Sequence, residues 1–176
     1  MGRDRNLRFQ KLYDGFEKEE LSEIWSHARF EERAVKIQSK IVKKGKGAVQ
    51  ITLNKGDKIE QGDANSKTSE RDELLERKEF GPMEDEACSY AFSMFIPKDF
   101  PIVPTRLVLA QWKQDEENDN ALVDNPILAL RYQNGELFIT LQTTKEKTRL
   151  YSMQSLPHNL QFVFYLSILL QNLSSL

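Results

Sequence analysis

The chain has 176 residues, 39% hydrophobic and 30% charged, with 25 Lys and Arg against 27 Asp and Glu for a formal net charge of -2. That length suits one domain over residues 1–176, and a domain of about 150 residues hides roughly 70% of its unfolded surface. The balanced charge excludes a strongly basic nucleic-acid binder. The single cysteine, Cys88, excludes an intrachain disulfide and a cysteine zinc cluster, and it is expected as a small buried hydrophobe.

Residues 1–11 form a polar arm. Its start, Met1 to Phe9, is basic but lacks the apolar core of a secretory signal. Asp14-Gly15 signals a turn, and the acidic run Glu17 to Trp25 can form a short helix. From Ala34 the sequence alternates, with Val35, Ile37, Ser39 and Ile41 set against Lys36, Gln38, Lys40 and Val42, the period of a half-buried strand. A Lys- and Gly-rich turn follows, and alternation resumes over 48–53, so the pair is expected to be a hairpin. Residues 60–69 are small and polar, a loop.

After Gly81-Pro82, the aromatic-rich segment 88–96 has strand propensity and stops at Pro97. Residues 106–113 predict a further strand, apolar enough for a central position, and 114–124 an acidic loop. Residues 126–132 and 136–142 flank Gln133-Asn134-Gly135, and Asn-Gly is the favoured two-residue hairpin turn. Short strands punctuated by Gly and Pro indicate an all-β sandwich. The apolar stretch Phe162 to Leu170 is strand or helix core, far shorter than the ~20 residues of a membrane span.

Candidate chemistry concentrates in two segments. In an extended Ser69–Arg77, Arg71 and Glu73 share one face and Asp72 the other; the alternative is a solvated helix, since Ser69 and Asp72 have capping-box spacing. On the second segment, Gln111 and Lys113 share one strand face. There an amide beside an amine can hold a sugar carboxylate and move a proton. Trp112 turns to the other face with Ala110 and Val108. His27 and His158 have no metal-ligand spacing, and the chain carries no Gly-rich phosphate loop, nucleophile elbow or zinc signature. No metal or other cofactor is expected.

Five blocks, in order, carry a resemblance: residues 45–57, 70–74, 93–101, Ala110-Gln111-Trp112-Lys113, and 128–135. Together they resemble the polysaccharide lyases related to heparin lyase I and glucuronan lyase, over roughly residues 12–150. The resemblance implies a concanavalin-like β jelly roll with a groove on its concave sheet and an acidic polysaccharide as partner, with neither nucleic acid nor membrane. It implies β-elimination at a uronic acid, with Arg71, Gln111 and Lys113 as catalytic residues and Glu73 and Arg131 as substrate-binding ones. A non-catalytic carbohydrate-binding module is the alternative.

Two departures stand out. Related lyases often have Gln-x-His where this chain has Gln111-Trp112-Lys113, and many have a late Tyr acting as acid and base. The tail 157–176 is atypically apolar, which predicts a jelly roll cut short at its C-terminal end. The family points to export, whereas the N-terminus shows no signal.

Overall fold

The computed structural model describes residues 11–57, 70–82, 87–113, 126–143, 146–154 and 161–169, and in the last segment the side chains of 163–165 alone. The expected polar arm before residue 11, the 60–69 loop, the acidic 114–124 loop and the chain after residue 169 lie outside the described residues. What is described is β-strand, loop and short 3₁₀ turns, as expected for an all-β jelly-roll sandwich. The strands are β1 (Trp25–Ser26), β2 (Val35–Gln38), β3 (Ala48–Ile51), β4 (Leu75–Glu76), β5 (Ala87–Phe95), β6 (Leu107–Trp112), β7 (Leu128–Gln133), β8 (Glu136–Gln142), β9 (Lys147–Met153) and β10 (Gln161–Leu169). The chain divides into two compact units, one of residues 1–92 with 164–176, the other of residues 93–163.

In the first unit, β2 and β3 form the expected antiparallel hairpin, with Val35 opposite Ile51 and Gln38 opposite Ala48. Its turn is built around a carboxylate: the Lys46 amide donates to Glu17 Oε2 at 2.7 Å. A Cβ on Gly45 would fall on that same carboxylate, and Gly45 has φ +83°, so this position needs glycine. The expected helix over 17–25 does not form. Asp14 instead accepts from the Phe16 amide at 2.7 Å, the Ser22 hydroxyl at 2.9 Å and Trp25 Nε1 at 2.8 Å. These bonds fix an irregular turn in which Phe16 takes φ 57° and stacks on Trp25, and a side chain that binds local backbone competes with the helix for it.

The alternation in β5 is regular. Cys88, Tyr90, Phe92 and Met94 are half-buried, while Ala87, Ser89, Ala91 and Ser93 are exposed. Cys88 is therefore not the fully buried hydrophobe expected. β5 pairs with β10, and the Phe92 and Phe164 rings stack at 4.9 Å. The apolar stretch near the end is thus strand.

The second unit holds a four-stranded antiparallel meander in the order β6-β7-β8-β9. Asn134 and Gly135 have φ 52° and 82°, the left-handed pair of a type I′ turn, whose twist matches that of the strands it joins. Leu128, Leu130, Tyr132 and Leu137 are buried on one face, and Phe100 meets Tyr132 edge-on at 5.2 Å. Among the described residues β6 pairs with β7.

Candidate functional site

The four-stranded sheet has two chemically different faces, and two β-bulges create the difference. Residues directly opposite in an antiparallel pair point to the same side. Arg131 faces Val108 and Phe138, while Ala129 faces Gln111 and Thr140. Between Val108 and Ala110 the register shifts, so Leu109 is an extra residue and the side-chain phase inverts beyond it. Gln111 therefore joins the Arg131 face, and Ala110 and Trp112 turn to the Leu130 and Leu128 face. The expectation that Val108 shares a face with Ala110 and Trp112 is corrected, because an unbroken period of two ignores the inserted residue.

A second shift, between the pairs Ile139–Tyr151 and Thr140–Arg149, makes Leu150 extra on β9. It brings Arg149 and Lys147 onto the face that already carries Ser152. Every charged residue within β6 to β9 lies on this face: Arg131, Glu136, Lys147 and Arg149. The opposite face has none.

Arg131 is only 2% exposed, and its Nε donates to Thr140 Oγ1 at 2.9 Å. Burial, and then the positive charge of Arg106, push its pKa below the usual guanidinium value. Arg149 donates to Glu136 Oε1 at 2.8 Å, and Ser152 Oγ donates to the same oxygen. The Ser152 hydroxyl, followed by Arg149, holds the Glu136 carboxyl below the usual carboxylate range despite an opposing contribution from desolvation. The Arg149 guanidinium also lies 3.9 Å from the centre of the Phe138 ring, a cation–π contact. Gln111 is half-buried, and Lys113 lies one residue beyond β6 and is exposed.

The other candidate residues belong to the first unit. The Arg71 and Glu73 amides donate to Asp57 O at 2.9 Å and Arg29 O at 2.8 Å. Amides of i and i+2 turned to one side mean an extended backbone, so the helix alternative is not realised. Regular strand in this segment is confined to Leu75–Glu76, paired with Ser26 and Trp25. Arg71 Nε lies 3.2 Å from Glu73 Oε1, both side chains about one-third exposed, so the two do point together.

Beneath them sits a carboxyl cluster. Asp57 is 1% exposed. It accepts from Arg33 Nη2, from the Asn54 amide at 2.7 Å and from Asn54 Nδ2 at 3.1 Å. The Asn54 amide bond, outweighing burial with help from Arg33, pulls the Asp57 pKa down to about 2. Asp72 Oδ1 accepts from the Glu31 amide at 2.8 Å, and its Oδ2 is buried without a bonded partner. Burial, reinforced by the Asp57 charge, pushes the Asp72 pKa up despite the Glu31 bond.

Sequence reasoning missed Asp57 and Arg33, whose contact links residues far apart in the chain. It also missed Tyr90, which donates to Glu76 Oε2 at 3.3 Å. Burial and then the Glu76 charge push the Tyr90 phenol well above its usual pKa, so it keeps its proton at neutral pH. No local pattern announces either pair.

Among the described residues, strands joined by loops and short 3₁₀ turns, with one charged and one uncharged face on the four-stranded sheet, define an all-β protein. The family model described as polysaccharide lyase matches residues 11–161. The chain belongs to the polysaccharide lyase family, and a polysaccharide is the substrate that family implies. Neither a curated protein nor a solved structure matches it.

Proposed function

We propose that the chain cleaves a uronic-acid-containing polysaccharide by β-elimination. The observation that carries this reading is the β6 bulge, which turns the Gln111 amide onto the one face of the meander that holds charge. In the reaction the uronate carboxylate is neutralised, which acidifies the C5 proton. A base takes that proton, the C4–O bond breaks as the C4=C5 double bond forms, and the leaving oxygen is protonated. Lys113 supplies positive charge to the carboxylate and Gln111 supplies amide N–H bonds, while Arg71, in the first unit, offers a guanidinium of the kind that neutralises a carboxylate. A guanidinium suits a carboxylate because its fork is planar and bidentate. The Glu73 contact aims the Arg71 guanidinium.

Arg131 acts differently. Nearly closed off from solvent, it lends positive potential from under the sheet face, where low dielectric strengthens its field. Removing one preorganised group of this kind costs about 10²–10³ in turnover where charge develops in the transition state.

The test is incubation with glucuronan, alginate and heparin-like chains while following the ultraviolet absorbance of the unsaturated uronate. Absorbance should rise with at least one polymer, and Gln111→Ala and Arg71→Ala should each lower the rate by about two orders of magnitude. Binding of a polymer with no rise in absorbance would instead identify a carbohydrate-binding module.

A further inference from the structure

Arg131 and Thr140 are bonded, yet they are not opposite one another in the sheet. Arg131 lies across from Val108 and Phe138, whereas Thr140 lies across from Ala129, which in turn faces Gln111. The bond from Arg131 Nε to Thr140 Oγ1, 2.9 Å long, is therefore diagonal. Diagonal neighbours stand about 7–8 Å apart, within reach of a long side chain alone. To make the bond, Arg131 leans along β7. It leaves its own row, Val108–Arg131–Phe138–Ser152, for the next row on the same face, Gln111–Ala129–Thr140–Arg149.

The residue types in that second row suit the lean. Ala129, between Gln111 and Thr140, carries a bare methyl, so the row has space where a larger side chain would stand. Thr140 is 5% exposed and Arg131 2%, so the bond is shielded from water, and a buried donor that loses its acceptor is costly. The acceptor is also neutral. A carboxylate at 140 would hold the guanidinium as firmly but would cancel its charge. A hydroxyl oxygen fixes the Nε–H and leaves both the charge and the four Nη–H donors unspent.

We propose that Thr140 is a positioning residue, whose hydroxyl oxygen draws the Arg131 guanidinium out of its own row and into that of Gln111. The positive charge of Arg131 then acts where the Gln111 amide binds. The part this plays in turnover rests on the lyase reading; the aim of the Arg131 side chain does not.

Two measurements on one set of variants test it. The first is the Arg131 Nε–H resonance in 15N-labelled protein, identified by its loss in R131K, with its exchange against water. Wild type should show a slowly exchanging signal. Thr140→Val, close in shape but without the acceptor, should exchange rapidly, and Thr140→Ser, which keeps the hydroxyl, should resemble wild type. The second is turnover of a polymer that wild type cleaves. Thr140→Val should lower kcat by about a hundredfold, the cost of misplacing a group by an ångström, with KM nearly unchanged. Thr140→Ser should restore kcat. A threonine that merely supports the fold would lower the melting temperature of Thr140→Val and leave kcat and the exchange rate alone.

A slowly exchanging Nε–H in Thr140→Val would overturn the proposal, as would wild-type kcat in that variant or equal losses in Thr140→Val and Thr140→Ser. Absence of product from wild type with every polymer removes the lyase reading instead. The exchange pattern then decides alone: rapid in Thr140→Val and slow in Thr140→Ser keeps Thr140 as the residue that aims Arg131, and any other pattern removes it.

Discussion

Asp57 and Asp72 are chemically identical side chains put to opposite use. Asp57 is surrounded by donors and its pKa falls to about 2, so it contributes stability above its unfolded value that is lost as pH drops from that value through about 2. Asp72, raised, contributes in the reverse sense, favouring the fold when protonated and losing that contribution as pH rises through its folded value. The expected outcome is asymmetric. Asp57→Asn lowers the urea midpoint at pH 7, and the gap from wild type closes as pH falls towards 2. Asp72→Asn keeps an acceptor for the Glu31 amide and offers N–H donors to Asp57, so the midpoint at pH 7 holds or rises. Equal losses in both variants would contradict the arrangement.

At the scale of the element, the β6 bulge is the local feature to test. Deleting Leu109 removes the inserted residue and leaves Val108, Ala110, Gln111 and Trp112 in regular alternation opposite Arg131, Leu130, Ala129 and Leu128, so Gln111 stays on the charged face and Trp112 on the apolar one. Activity on the polymer and the Trp emission maximum should then stay near wild type. Leu109→Ala, which keeps the extra residue, should also retain the larger part of the activity. Both contrast with Gln111→Ala in initial rates, and a loss in the deletion as deep as that of Gln111→Ala would contradict the pairing.

This element also shows what could be read in advance. The β7–β8 hairpin was legible because Asn134-Gly135 names its own turn and the strands on either side alternate. β2–β3 was legible for the same reason. The bulges were not, because an inserted residue is invisible to a periodicity count. The Lys43–Gly47 turn announced a reversal, but nothing in it announced that Glu17 would be its core. The same limit hid Arg33–Asp57. Arg71 beside Glu73 followed from extended spacing alone, whereas the burial of Arg131 depends on packing that no local pattern encodes.

For the whole molecule, the pairing scheme implies an order of events. β6 to β9 form a run in which each strand meets its neighbour in sequence, so little loop entropy is lost in closing each step. β5 waits for β10, and the Phe92–Phe164 stack joins residues remote in sequence. β5 therefore leaves the ribosome well before the strand that pairs with it, and until β10 arrives the edge it will cover is open to stray pairing. Phe164→Ala should accelerate unfolding in stopped-flow denaturant jumps while leaving the refolding rate nearly unchanged, the pattern of a contact made after the rate-limiting step. A matching fall in the refolding rate would mean that this late strand nucleates the fold instead of sealing it.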